Sequence, residues 1–81
     1  VELGRVPTAP PDPLFERRRA IGERIRDGRH AAGLTQEALA NHVGIDRPSV
    51  VEIEAGRRNA TINTLLRISD VIGVPLADLV R

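Results

Sequence analysis

Gly33, Gly44, Gly56 and Gly73 each stand where a run of helically spaced apolar residues breaks off. Glycine ranks just above proline as a helix former, so the chain between Leu14 and Arg81 divides into short helices. Upstream of Gly33, Ile21, Ile25, Gly28 and Ala32 recur with the helical period, while Glu16, Arg17, Arg18, Glu23, Arg24 and Arg26 fall mostly on other faces. Thr35 has the hydroxyl to cap a second helix, Glu37 suits the positive end of its dipole, and Leu39, Ala40 and Val43 form its inner side. Asp46 caps a third helix with Pro48 in the first turn and Val50 and Ile53 facing inward. Thr61 caps a fourth, carrying Ile62, Leu65, Leu66, Ile68 and Ile72, and Pro75 opens a short fifth with Leu76, Leu79 and Val80. No strand pattern competes. The expected fold is all-α, a five-helix domain over residues 14–81.

Size and composition narrow what such a domain can do. A chain of 81 residues buries only about 60% of its unfolded surface, which leaves little volume for a deep catalytic pocket. Cysteine is absent, so disulfides, thiolate metal sites and thiol catalysis are excluded, and helix packing alone must hold the fold. His30 and His42 are not at metal-ligand spacing and read as surface histidines. No clustered His, Ser or carboxylate set suggests an active site, and no cofactor or metal is expected. No apolar run reaches the roughly 20 residues of a membrane span and no basic-then-apolar signal opens the chain, so a cytoplasmic location is expected. Pro7, Pro10, Pro11 and Pro13 forbid helix over Val1–Pro13, which reads as an extended, solvated arm. All 12 basic residues are arginine. Arginine's planar fork suits phosphate and guanine edges, although a GC-rich coding sequence would give the same bias. A single Phe and no Trp or Tyr argue against an aromatic platform for single strands.

The informative stretch is Gln36–Ala55. Two short helices are joined by a tight turn, with Ala40 where they would cross and Gly44 where the turn calls for positive φ. Leu39, Val43, Ile45, Val50 and Ile53 supply the apolar contacts that set the interhelical angle. Arg47, Pro48, Val51 and Glu52 are left pointing outward.

In IGERIR (21–26), GLTQEALANHVGI (33–45), SVVEIEAGRRNAT (49–61) and LLRISDVIGVPLADLV (65–80), the chain resembles the Cro- and lambda-repressor-like helix-turn-helix proteins of the xenobiotic-response-element family. The resemblance covers Ile21–Val80. It implies that residues 47–54 form a recognition helix in the major groove of double-stranded DNA while the preceding helix crosses the backbone. It makes the outward Arg47, Pro48, Val51 and Glu52 the base-reading face, with Arg47 gripping guanine in bidentate fashion, or else touching phosphate or standing as solvated surface. Glu52 then has three readings: acceptance of a hydrogen bond from cytosine N4, a salt bridge that orients Arg47, or discrimination by repulsion. Val51 and Pro48 could press on a thymine methyl. Gln36 becomes a phosphate contact that also braces the recognition helix, or simply a helix-start residue. Ser49 would hydrogen-bond phosphate or base, although it equally suits a first helical turn. Arg57, Arg58 and Asn59 fall at a backbone-contacting loop, with a plain basic surface loop as the alternative. The family pairs an arginine late in the first helix with a glutamate late in the recognition helix; Arg29 and Glu54 hold those positions here.

The implied function is a sequence-specific transcriptional regulator, with repression as the expected sign. A module this small contacts few base pairs, so a two-fold homodimer is expected. Leu76, Leu79 and Val80 supply the expected dimer surface, or else close the core. The alternative function is a protein-interaction module that keeps the fold but docks on a partner such as a toxin or a polymerase subunit. Gly28 interrupts the inward stripe of the first helix, and Leu14 or Phe15 is expected to fold across the gap.

Overall fold

Side-chain oxygens set where most of the helices begin. In the computed structural model, which describes residues 12–81, the chain forms α1 (Phe15–Ala31), α2 (Gln36–Val43), α3 (Arg47–Glu54), α4 (Ile62–Ile72) and α5 (Leu76–Val80). No strand occurs among the described residues. The Thr35 hydroxyl accepts the Ala38 amide at 3.0 Å, the Asp46 carboxylate accepts the Ser49 amide at 2.9 Å, and the Thr61 hydroxyl accepts the Thr64 amide at 3.1 Å. Each such cap contributes about 1 kcal/mol. The α2–α3 connection is short because Gly44, at φ 85°, turns the chain while its own amide closes on the Ala40 carbonyl at 2.8 Å. That conformation suits glycine. Most of the expected N-terminal arm, residues 1–11, lies outside the described residues. At its inner end Asp12 accepts the Leu14 amide and pairs with Arg18 of α1.

Every helix sends residues into one core. Ile25 comes from α1, Leu39, Ala40 and Val43 from α2, Val50 and Ile53 from α3, Ile68 and Ile72 from α4, and Leu79 from α5. Fully burying an aliphatic side chain of this kind contributes about 1.5–3 kcal/mol. Ser69, also buried, donates its hydroxyl to the Val74 carbonyl at 2.6 Å and ties α4 to the start of α5. Arg24 reaches from α1 to the Leu79 and Arg81 carbonyls, so the end of α5 is held to the first helix.

One expectation is corrected here. The space beside Gly28 is filled from α4 and the loop after it: a Cβ there would lie 2.8 Å from Ile72 Cδ1 and 3.2 Å from Val74 Cγ2. Leu14 is exposed and Phe15 half-buried at the far end of α1. Thirteen helical residues separate Phe15 from Gly28, about 20 Å of rise, too far for either side chain to reach the gap. The expected apolar surface of α5 also divides. Leu79 is wholly buried and closes the core, while Val80 stays 41% exposed.

Candidate nucleic-acid interface

The carboxyl end of α3 is fixed by contact with α1 so close that no side chain fits between them. A Cβ on Gly22 would run into the Glu54 carbonyl oxygen and lie 2.5 Å from that of Ile53. Seven residues on, two helical turns along the same side of α1, Arg29 meets Glu54. Its Nε donates to Glu54 Oε2 at 2.7 Å and its Nη2 to Oε1 at 3.1 Å, and both side chains are under one-tenth exposed. The third arm of the guanidinium, Nη1, donates to the Leu34 carbonyl at 2.9 Å. Gln36, at the start of α2, adds a bond from Nε2 to Glu54 Oε1 at 3.2 Å. Glu54 thus gathers α1 and α2 onto α3, and no buried side-chain nitrogen or oxygen among the described residues lacks a partner.

With Val50, Ile53 and Glu54 turned inward, the other side of α3 is left open. Arg47 and Pro48 are exposed at its amino end, and Val51 and Glu52 are half-buried behind them. The outward side is thus open to solvent at Arg47 and Pro48, and partly so at Val51 and Glu52. Ser49 does not join it. Its residue is only 6% exposed and its amide donates to Asp46, so it fills the first-turn role and offers little surface to a phosphate.

Glu52 pairs with Arg57, and not with Arg47 as one reading held. Arg57 Nε donates to Glu52 Oε2 at 2.8 Å. Five residues along a helix turn through about 500°, so Arg47 and Glu52 point to different sides; only spacings of three or four bring side chains together. Arg57 lies beyond the helix, where Gly56, at φ 75°, turns the chain back and the Arg57 amide closes on the Glu52 carbonyl at 2.9 Å. The turn is pressed on α1: a Cβ on Gly56 would lie 2.7 Å from the Arg19 backbone, and Arg18 Nε donates to the Gly56 carbonyl at 3.0 Å. Arg57, Arg58 and Asn59 are all exposed in this loop.

The charges around α3 follow these contacts. The hydrogen bond from Arg57 holds the Glu52 carboxyl below the usual carboxylate range, and the same bond raises the Arg57 guanidinium. Asp46 is held low by bonds from the Ser49 side chain and amide, with a smaller contribution from the Arg58 charge. Sequence reasoning missed Gly22 and Arg18. Gly22 carried a signal, since it shares the α1 stripe of Ile25 and Arg29; Arg18 carried none, because its partner is a carbonyl far along the chain. No cluster of three or more metal-capable side chains occurs among the described residues, and no helix there is long and apolar enough to cross a membrane.

Comparison with known proteins places this geometry. A family model described as helix-turn-helix matches residues 25–79. An uncharacterized helix-turn-helix-type transcriptional regulator of Archaeoglobus fulgidus is 38% identical over 56 residues, which span 69% of this chain and 80% of that protein. The cryptic phage CTXphi transcriptional repressor RstR of Vibrio cholerae is 33% identical over 60 residues, 74% of this chain and 54% of the repressor. Among solved structures, the restriction-modification controller protein C.AhdI from Aeromonas hydrophila superposes with a TM-score of 0.78 at 31% identity, covering 84% of this chain and 99% of that one. The clp gene regulator ClgR from Corynebacterium glutamicum gives 0.76 at 29% identity, over 85% of this chain and 71% of its own.

Proposed function

The chain belongs to the Cro- and lambda-repressor-like helix-turn-helix family and is a transcriptional regulator, and from that premise we propose that α3 enters the major groove of double-stranded DNA as a recognition helix. The observation that carries this reading is the contrast between the two ends of α3. The carboxyl end is clamped by Gly22, Arg29 and Gln36, and the amino end presents Arg47 and Pro48 with nothing over them. A rigidly held helix with an open, arginine-bearing tip is what direct base readout requires.

In this reading Arg47 grips a guanine through O6 and N7, and Pro48 and Val51 press on a thymine methyl. Glu52 accepts from cytosine N4 or turns away bases that offer it only acceptors. Arg57, Arg58 and Asn59 lie along the sugar-phosphate backbone, and Gln36 touches a phosphate from the start of α2 while bracing Glu54. The protein acts as a repressor and binds as a homodimer to half-sites about one helical turn apart. With Leu79 spent on the core, the large apolar side chains that α4 and α5 leave exposed for a second copy are Ile62 and Leu66, four residues apart and 71% and 44% exposed, and Val80.

The test begins with duplexes that the protein selects from a random pool. Affinity for the selected site should fall steeply with salt. Arg47→Ala should erase the preference at one base position, a discrimination of about 1–3 kcal/mol. Binding that ignores salt and shows no base preference would instead favour a module that docks on a protein.

A further inference from the structure

We propose that α1 adds a backbone contact of its own: the cleft where α1 faces α2 and α3 seats a DNA phosphodiester, held by Arg26 and His30. This rests on the major-groove reading above and extends the interface beyond the helix-turn-helix. The cleft is open, with a volume of about 430 Å³. Arg26 and His30, four residues apart and therefore stacked on one side of α1, form one wall; Gln36 and Val51 stand opposite, and the buried Arg29–Glu54 pair lines its depth.

The charges in the cleft favour an anion. Glu54 is neutralised there, because Arg29 binds both its oxygens and Gln36 binds one again. Arg26 joins no ion pair among the described residues, so its positive charge is the one left uncompensated in the cleft. Glu23 and Asp27 line an adjoining recess with Arg26 and His30; Glu23 is bound to Arg19 at 3.1 Å, and Asp27, like Arg26, joins no ion pair among the described residues. The first amides of α2 have no intrahelical acceptor and add donors at the rim. Val51 identifies the source of the phosphate. It belongs both to the reading face and to the cleft, so a strand whose bases meet Val51 carries its backbone across the cleft mouth.

The experiment uses the selected duplex, with single phosphates replaced by neutral methylphosphonates one position at a time. Arg26→Gln should lower the magnitude of the slope of log affinity against log salt by about 0.9, the share of one phosphate contact. Over a fourfold rise in salt the wild type should therefore lose about 3-fold more affinity than the variant. Base preference and Tm should be unchanged, and Arg26→Lys should keep the wild-type slope. One methylphosphonate should weaken the wild type more than it weakens Arg26→Gln, which keeps only His30 and the α2 amides at that phosphate. An Arg26→Gln slope equal to that of the wild type, with every methylphosphonate affecting both proteins alike, overturns this contact and leaves the major-groove reading standing. A wild type that shows neither salt dependence nor sequence preference brings both down.

Discussion

Glu52 and Glu54 stand two residues apart on α3, and each binds an arginine, but in opposite surroundings. Glu54 and Arg29 are under one-tenth exposed, joined by two bonds in a fork, and backed by Gln36. Glu52 and Arg57 sit in solvent, with side chains 42% and 59% exposed and one good bond between them. Removed from water, a charge pair becomes nearly obligatory, because either partner alone is left unpaid for by hydration. In water the same pair is weak and exchangeable. The first therefore sets where α3 lies, and the second is free to be rearranged by whatever α3 meets.

The widest gap between the pairs should appear in stability. Glu54→Ala strands the Arg29 guanidinium in the interior and is expected to cost about 3–5 kcal/mol. In a domain of this size that lowers Tm by roughly 15 °C or more, measurable by thermal unfolding followed by circular dichroism. Replacing both partners with apolar residues, Arg29→Met with Glu54→Leu, should lose less than Glu54→Ala alone. If the single and double variants melted alike, the interior charge would not be what governs the pair.

A smaller effect probes the same junction without touching charge. Gly22→Ala drives a methyl into the Glu54 and Ile53 carbonyls, which are backbone and cannot swing aside. The expected loss is about 1–3 kcal/mol, offset in part by the better helix propensity of alanine, worth about 1 kcal/mol. Affinity for the selected duplex should drop with it, since α3 must shift to admit the methyl. Gly28→Ala is the control. Its nearest neighbours are the side-chain tips of Ile72 and Val74, which can rotate, so its Tm should change less than that of Gly22→Ala.

These junctions also mark how far the sequence could be read. Thr35, Asp46 and Thr61 cap α2, α3 and α4 because the chemistry is local: the donor lies three residues from the acceptor. Leu39, Val43, Val50 and Ile53 face inward for the same reason, as periodicity alone assigns them. Arg29 and Glu54 were paired from a family resemblance, since nothing in their spacing reveals that two helices cross there. Gly22 and Gly28 look alike as interior glycines, and only the crossing of α1 over α3 separates a close backbone approach from packing against side chains. Of the three readings of Glu52, the one that pairs it with Arg47 fails because helical spacing describes partners on the helix, and Arg57 returns from beyond it through the Gly56 turn. Leu79 and Val80 differ by one residue and end in opposite environments, and composition does not distinguish them.

The exposed pair gives the smallest change in stability and the most informative one in binding. Glu52→Gln removes a surface carboxylate whose contact is screened, so Tm at neutral pH should stay where it is. In acid the sign follows from its lowered pKa: whatever the pair contributes is complete above the usual carboxylate range and is lost as pH falls through the lower value set in the folded state. The wild type should thus lose a little more stability than Glu52→Gln in that acid window. Binding should respond more. In the free protein Arg57 is tied to Glu52, and any phosphate it meets must compete with that carboxylate. Glu52→Gln releases it and removes a negative charge from the surface of α3, so affinity for unrelated duplexes should rise and the salt slope should steepen by about 0.9. Where Glu52 rejects the wrong base, as proposed, the preference over unrelated sequence should shrink at the same time. A steeper slope with discrimination intact would assign Glu52 to restraining Arg57 alone, and the base it faces would then be read by another residue of α3.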